Sequence, residues 1–221
     1  MNNSLLFSGK YILFDAAATL IYKPQLSEVF IKVLSNHNIK LETSVFLKRH
    51  KLLSEIIKFP DVTNRGFYHY FNSELLLSFG IVPNDSLLDE LFNECSYLPW
   101  ESFKDVVHLN KLPFDCGVLS NFNSSLNSIL TQKVKREFKH VFISEELGIS
   151  KPDTSFFLKA ISEIGLSPSD VLYVGDSIKL DMIPGQQIGF QCVLIDREDN
   201  YPNFQNRILS LSELNNIHNN D

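Results

Sequence analysis

The sequence predicts an α/β fold in which helices wrap a parallel sheet and an all-helical unit is inserted after the first strand. In the second part of the chain, short apolar runs alternate with amphipathic segments, as parallel strands and their connecting helices do. Residues 22–98 instead repeat apolar residues at helical spacing and carry no convincing strand. We therefore expect a core domain of residues 1–21 and 99–221 and an inserted helical domain of residues 22–98.

Five strands are expected in the core domain, and each is apolar enough to be buried on both faces. They are residues 10–14, 116–120, 140–144, 171–174 and 191–195. Between them, helices are expected at residues 124–130, 154–164 and 178–188, and a short helix at residues 211–217. Asp153 is the predicted N-cap of the second of these helices, and Pro184-Gly185 should interrupt the third.

The inserted segment predicts four amphipathic helices. The third ends at Gly80, and the fourth begins after Asn84 or Asp85 as its N-cap. Apolar residues recur at intervals of three and four in each helix, which places them on one face. Those of the first two helices are Leu26, Val29, Phe30, Val33, Leu34, Val45, Phe46, Leu52, Leu53, Ile56 and Ile57.

Composition narrows the range of partners. The chain has 221 residues, 44% hydrophobic and 21% charged, which suits one sizeable core or one core with a small extra domain. A net charge of −6 and scattered basic residues disfavour a nucleic-acid partner. No stretch approaches the roughly 18 apolar residues of a membrane span, and the first residues lack the basic start of a signal peptide. We expect a cytoplasmic protein with no membrane partner.

The three cysteines support the same compartment. Cys95, Cys116 and Cys192 are odd in number and far apart in the sequence, and the last two fall inside predicted strands. Buried free thiols in a reducing compartment are the simplest interpretation.

Residues that can carry chemistry follow the predicted strands. Asp15 ends the first strand, where a carboxylate can attack a phosphoryl group and form an acyl phosphate. Asp176 ends another, and two carboxylates at one sheet edge repel unless a cation lies between them. Mg²⁺ suits such an arrangement because it prefers hard oxygen ligands and keeps several waters. Alone, each residue could equally form a turn or cap a helix.

Two further stretches complete this set. Ser120-Asn121 closes a third strand, where a hydroxyl and backbone N–H groups could hold phosphoryl oxygens. Lys151-Pro152 precedes a predicted helix, and its ammonium could balance the charge of the nucleophile and of the transferring group.

The four stretches together resemble, in order and spacing, the motifs of the haloacid dehalogenase (HAD) superfamily. They are Phe14-Asp15-Ala16-Ala17-Ala18-Thr19-Leu20, Val118-Leu119-Ser120-Asn121, Ser150-Lys151-Pro152-Asp153, and Leu172-Tyr173-Val174-Gly175-Asp176-Ser177 with Asp181 beyond. The resemblance covers about residues 10–196 and implies a Rossmann-like core with a C1 helical cap. It also implies an Mg²⁺-dependent hydrolase acting on a small phosphorylated metabolite.

The resemblance assigns a role to each residue. Asp15 is the implied nucleophile, and Ser120, Asn121 and Lys151 would bind the phosphoryl group. The implied metal ligands are Asp15, the main-chain carbonyl of Ala17, and Asp176. Asp181 would support the metal site by orienting a metal-bound water or Lys151. Arg65, in a loop of the implied cap, could contact an anionic group of the substrate.

Ala17 departs from the pattern, because HAD phosphatases have a second Asp there that protonates the leaving group and then activates water. General acid-base catalysis is worth about 10² to 10⁴ in rate. Three hypotheses follow: a slow phosphatase, a phosphonatase that uses a cap lysine, or a binding protein without turnover. Candidates for the phosphonatase lysine are Lys48, Lys51 and Lys58, although Ala18 stands where that branch has Gly. Dehalogenase chemistry ranks last, since it would leave Asp176 and Asp181 without a purpose.

Overall fold

The computed structural model describes residues 7 and 9–216. It divides into two compact units, Lys23–Glu101 and the described parts of Met1–Tyr22 and Ser102–Asp221. No helix among the described residues is long and apolar enough to cross a lipid bilayer.

The larger unit is built on a six-stranded parallel sheet with the strand order β5-β4-β1-β6-β7-β8. This confirms the α/β class and the parallel sheet. The central strand β1 pairs with β4 on one side and β6 on the other, in a register that aligns Leu13 with Gly117 and Tyr173. The strands are β1 (Tyr11–Phe14), β4 (Asp115–Ser120), β5 (His140–Ile143), β6 (Val171–Gly175), β7 (Gln191–Ile195) and β8 (Arg207–Ile208).

Three strands were not expected from the sequence. The edge strand β8 is the sixth of the sheet, and β2 (Ile21–Tyr22) pairs with β3 (Glu101–Ser102) in a separate two-stranded sheet. Each of the three has two residues, which is too short for the alternation that marks a strand. The expectation of no strand within residues 22–98 therefore holds except at Tyr22, the last residue of β2, and β3 lies outside that range.

The helices of this unit are α5 (Leu126–Lys133), α6 (Ser144–Leu147), α7 (Thr154–Ile164) and α8 (Ile183–Gln187). The bounds of α7 are those predicted, α5 begins and ends later than predicted, and α6 was not predicted. As predicted, the Asp153 side chain caps α7 by accepting from the Ser155 N–H at 2.8 Å. The helix expected at residues 178–188 is instead a π-helical turn (Ile178–Met182) followed by α8, in which Pro184 lies in the first turn, where its missing N–H is tolerated.

Other elements of this unit also differ from the prediction, and side chains that bond to the backbone explain the first difference. The segment before α5 is a turn, since the Ser125 N–H donates to Asn123 and the Ser124 N–H to Glu145. The 3₁₀ helix Lys104–Lys111 was not predicted, and the expected helix at residues 211–217 is a 3₁₀ helix (Leu211–Asn216). Its expected last residue, Ile217, lies outside the described residues.

The smaller unit contains four helices, as the periodicity predicted. They are α1 (Leu26–Asn36), α2 (Thr43–Ile56), α3 (Arg65–Ser78) and α4 (Asp85–Cys95). The Asn84 side chain caps α4 through the Leu87 N–H at 3.0 Å, and Gly80 follows α3 with a φ of +78°. Their shared core contains Phe30, Val33, Leu34, Phe46, Phe71, Leu75, Leu76, Leu87, Leu88 and Leu91.

Each unit buries its own hydrophobic core. In the sheet unit, Leu13 and Tyr173 of neighbouring strands pack with Phe156 and Phe157 of α7. Cys116 and Cys192 are buried in β4 and β7, and Cys95 is buried in the helical unit. All three thiols are free, as predicted.

Candidate active site

The candidate site lies at the carboxyl edge of the parallel sheet, where three neighbouring strands end. Asp15 directly follows β1, Ser120 is the last residue of β4, and Asp176 directly follows β6. Because β1 lies between β4 and β6, the three side chains start from adjacent positions. This edge is where open α/β sheets bind their ligands.

Lys151 joins the residues of this edge. Its buried ammonium Nζ donates to Asp15 Oδ1 and Asp181 Oδ1, both at 2.6 Å, and contacts the Tyr173 hydroxyl at 3.3 Å. Ser120 Oγ donates to the same Asp15 Oδ1 at 3.0 Å. One carboxylate oxygen of Asp15 is therefore held by a cation and a hydroxyl, which orients the side chain.

Asp181 is fully buried and both of its oxygens accept hydrogen bonds. Oδ1 contacts Lys151 and the Tyr173 hydroxyl, and Oδ2 accepts from the Ser177 N–H at 3.0 Å. The π-helical turn that carries Asp181 brings its side chain against Gly175, where a Cβ would overlap the carboxylate. Gly175 therefore permits a close approach between the end of β6 and Asp181.

Three carboxylates converge here with one ammonium. Asp15, Asp176 and Asp181 each offer an oxygen within 4.8 Å of the others. Lys151 is the one buried lysine or arginine among the described residues, and a single positive charge cannot balance three ionised carboxylates. Burial, together with the negative charges of Asp181 and Asp176, raises the pKa of Asp15 to about 7 despite the nearby Lys151 ammonium.

This charge imbalance fits a divalent cation. An all-oxygen donor set at a partly buried edge suits Mg²⁺, and a 2+ ion would supply the missing positive charge. Asp15 Oδ2 has capacity for it, because the hydrogen bond that it accepts from Thr19 Oγ1 is long at 3.5 Å. Asp176 is half-buried and adjacent, so Asp15 and Asp176 are suited to hold the ion.

The turn after Asp15 presents the main chain of Ala17 at the same edge. The carbonyl of Ala16 accepts from the Leu20 N–H at 2.8 Å and the Ile21 N–H at 3.0 Å, while the Ala18 N–H donates to Ile21 at 2.7 Å. Ala18 adopts a left-handed φ of 61°. The methyl of Ala17 can neither donate nor accept a proton.

The side chain of Asn121 is hydrogen-bonded to the backbone of Lys151. Its side-chain amide donates to the Lys151 carbonyl at 2.9 Å and its amide oxygen accepts from the Lys151 N–H at 2.8 Å. This pair of bonds fixes the backbone of Lys151 to the end of β4. The side chain of Asn121 thus orients the lysine, while its predicted role in substrate binding stays a prediction.

Tyr173 and Thr19 contact this cluster, and sequence reasoning gave neither a role. The Tyr173 hydroxyl is buried between Lys151, Asp181 and the Leu119 carbonyl. A tyrosine inside an apolar strand is usually packing, so its type gave no signal. Its position two residues before Gly175, on the strand that presents Asp176, was the available hint.

Arg65 and the three candidate lysines all belong to the helical unit. Arg65 begins α3, is exposed, and forms an ion pair with Asp89 of α4. Lys51 pairs with Glu55 at 3.0 Å one turn along α2, and Lys48 and Lys58 are exposed. The contact predicted between Arg65 and a substrate anion stays a prediction.

The model of the haloacid dehalogenase-like hydrolase family matches residues 10–189, and the chain belongs to this family. The zebrafish haloacid dehalogenase-like hydrolase domain-containing protein 3 is 30% identical over 128 residues, which are 53% of each protein. The match thus spans about half of that relative. Glyceraldehyde 3-phosphate phosphatase of Methanopyrus kandleri is 24% identical over 216 residues, covering 89% of this chain and 92% of the phosphatase.

Solved structures show the same fold. A Bacillus subtilis protein described as a HAD-hydrolase, YfnB, crystallised with magnesium, has a TM-score of 0.65 at 21% identity and covers 93% of this chain and 96% of its own. The defluorinating L-2-haloacid dehalogenase Rha0230 has a TM-score of 0.61 at 19% identity, with 94% of each chain covered. The chain thus has the α/β, Rossmann-like fold of the HAD-like hydrolase family, and the proteins that it resembles include both phosphatases and dehalogenases.

Proposed function

We propose that this protein is an Mg²⁺-dependent phosphoryl hydrolase of a small phosphorylated metabolite, with slow turnover. The observation that carries the proposal is the cluster of Asp15, Asp176 and Asp181 around the Lys151 ammonium. The carboxylates need a divalent cation, and the cation with Lys151 would attract a phosphoryl group. The phosphatases among the relatives support this substrate class.

In the proposed reaction, an oxygen of Asp15 attacks phosphorus and the bond to the leaving oxygen breaks. The product is an aspartyl phosphate, which water then cleaves to inorganic phosphate and the free carboxylate. Lys151 and Ser120 hold Asp15 in the structure, and in the proposed reaction they would donate to the phosphoryl oxygens as the substrate approaches. A bound Mg²⁺, held by Asp15, Asp176 and the Ala17 carbonyl, would neutralise charge on the transferring group.

Ala17 shapes the choice of substrate. The methyl group of Ala17 cannot protonate a leaving alkoxide. Substrates whose leaving group is already stable as an anion are therefore favoured. Acyl and aryl phosphates meet this condition. The same deficiency slows hydrolysis of the aspartyl phosphate, so we expect the phosphorylated protein to accumulate.

We also propose that the helical unit is a C1-type cap that selects the substrate. Its insertion between β2 and β3, at the point where that cap type enters the chain, supports the assignment. Within this cap, Arg65 is the candidate for binding a second anionic group of the substrate. To do so, Arg65 would have to break its ion pair with Asp89.

Dehalogenase chemistry is the weaker alternative, although dehalogenases are among the structural neighbours. Dehalogenase chemistry needs no metal, so it would leave Asp176 and Asp181 of the acidic cluster without a role. Phosphonatase chemistry needs a neutral lysine amine, and the ion pair between Lys51 and Glu55 disfavours Lys51 in that role.

The test is to incubate the protein with Mg²⁺ and p-nitrophenyl phosphate or acetyl phosphate, and to follow product release together with intact mass. We expect one equivalent of product in a burst and one added phosphoryl group, both abolished by Asp15→Asn and by chelation of the metal. Ala17→Asp should raise steady-state turnover by about a hundredfold or more, since it restores a general acid and base.

Ala17→Asn is the matched control, because it has the size of Asp but cannot transfer a proton at neutral pH. It should leave turnover at the wild-type level. The proposal is wrong if the wild type shows neither burst nor phosphoryl mass and Ala17→Asp shows no turnover. Borohydride trapping of phosphonoacetaldehyde on a lysine would then favour the phosphonatase reaction.

A further inference from the structure

Tyr173 contributes a buried polar group that the proposed reaction does not use. It is a central residue of β6, fully buried, and its ring packs against Phe157 and Phe190 with centroid distances of 5.3 and 6.2 Å. Its hydroxyl nevertheless faces charged groups. Burying a hydroxyl is costly unless it is hydrogen-bonded, so its partners are informative.

The hydroxyl lies among three partners from three different segments. It is 3.0 Å from Asp181 Oδ1, 3.2 Å from the carbonyl oxygen of Leu119 and 3.3 Å from Lys151 Nζ. A phenol donates one hydrogen, which goes to the carboxylate or to the carbonyl, and its lone pair accepts from the ammonium. Tyr173 therefore links the end of β4 to the cation and to Asp181.

Lys151 has three N–H donors, and the structure supplies three acceptors. They are Asp15 Oδ1, Asp181 Oδ1 and the Tyr173 hydroxyl. Two acceptors alone would fix the rotation of the ammonium but leave its third N–H unsatisfied in a buried site. The Tyr173 hydroxyl accepts from that N–H and so stabilises the orientation in which the other two N–H groups reach Asp15 and Asp181.

We propose that Tyr173 is a positioning residue that holds the Lys151 ammonium in the orientation needed at Asp15. It acts through Lys151 and Asp181 and does not contact the substrate. Its contribution to phosphoryl transfer rests on the proposed function, whereas its hold on the ammonium does not.

The variant that tests this is Tyr173→Phe, which removes one oxygen and retains the ring contacts with α7 and with Phe190. Tyr11→Phe is the matched control. Tyr11 is buried in the same core on the neighbouring strand β1, and its hydroxyl contacts His140 Nδ1 at 2.9 Å rather than any group of the site. Both variants lose a buried hydroxyl, and only Tyr173→Phe alters Lys151.

The first measurement is the ¹H–¹⁵N signal of the Lys151 ammonium, assigned by its loss in Lys151→Met. We expect the wild type and Tyr11→Phe to show a slowly exchanging signal. In Tyr173→Phe its exchange with water should accelerate about tenfold or more, because one N–H has lost its acceptor. Absence of this signal in the wild type would overturn the proposal even if Tyr173→Phe failed to fold.

The second measurement is the rate of Asp15 phosphorylation by acetyl phosphate with Mg²⁺. We expect about a tenfold slower maximal rate in Tyr173→Phe, the size of one hydrogen bond to a charged group, with the half-saturating concentration within about twofold. Equal losses in both variants would show an effect of core packing and overturn the proposal. If the wild type is never phosphorylated but the ammonium signal changes only in Tyr173→Phe, the hold on Lys151 stands and the proposed function fails.

Discussion

Ala18 has a backbone conformation that costs energy for any residue with a Cβ. Its φ of 61° lies in the left-handed region, and its N–H donates to Ile21 at 2.7 Å in the tight turn that follows Asp15. The side chain is exposed, so the methyl gains little from packing. The turn that follows Asp15 is therefore held by its hydrogen bonds against a local strain.

Ala18→Gly should relieve this strain. Once the entropic cost of ordering the more flexible glycine is subtracted, the protein should be more stable by about 0.5 to 1 kcal/mol. Thermal unfolding should show a rise in Tm of roughly 2 °C.

Ala16→Gly is the control two residues earlier, where the alanine is fully buried and its φ is not positive. It should lower the free energy of unfolding by about 1 kcal/mol. A loss of stability in Ala18→Gly would contradict the strain at Ala18.

At the scale of elements, the end of β6 and the π-helical turn after it are packed directly against each other. Gly175 ends the strand and Asp181 lies in the turn, and the two touch because Gly175 has no side chain. Asp181 in turn holds Lys151, which holds Asp15. A change in this contact should therefore reach the nucleophile through two side chains.

Gly175→Ala should displace Asp181 and reduce Mg²⁺ affinity by about ten- to a hundredfold, the range found when groups supporting metal ligands are changed. The affinity can be measured from the rise in Tm as Mg²⁺ is added.

Gly117→Ala is the control within the same sheet. A Cβ there would overlap the Tyr11 hydroxyl, away from the acidic cluster. Both variants should be less stable, but Gly117→Ala should retain the wild-type response to Mg²⁺. An unchanged Mg²⁺ affinity in Gly175→Ala would show that Asp181 does not support the metal site.

At the scale of the whole molecule, two units with separate cores can differ in their response to pH. In the helical unit, the ring of His50 lies among the rings of Phe46, Phe59 and Phe71. Burial lowers the pKa of His50 from its ordinary 6.5 to about 4, and the positive charge of Lys51 adds to the shift. The histidine is therefore neutral in the folded unit at neutral pH.

A histidine with a lowered pKa destabilises the folded state on acidification, because the unfolded chain takes up a proton first. The helical unit should retain its full stability above pH 6.5 and lose up to about 3 kcal/mol as the pH falls towards 4. Hydrogen exchange of the amides in α2 and α3, corrected for intrinsic rates, measures this loss.

His50→Phe should remove most of the pH dependence while retaining an aromatic ring at this position. If the variant and the wild type lose protection equally between pH 6.5 and pH 4.5, His50 is not the group responsible.

Sequence patterns located most of the elements that build the site. Buried strands were predicted at β1, β4, β5, β6 and β7 because their apolar runs are continuous and end at polar residues. The helical unit was predicted from spacing alone. The two-residue strands and the 3₁₀ helix Lys104–Lys111 were missed, since each is held by contacts with distant segments rather than by its own periodicity.

By itself, the sequence determined that Asp15, Ser120 and Asp176 stand at strand ends, that Lys151 precedes a capped helix, and that Ala17 cannot transfer a proton. These properties follow from residue type and local pattern. Only the tertiary structure decided that Asn121 clamps the backbone of Lys151 and that Tyr173 supplies the third acceptor of its ammonium. Such contacts join residues 22 to 30 positions apart, and strand order and register set their distances, which no local pattern encodes.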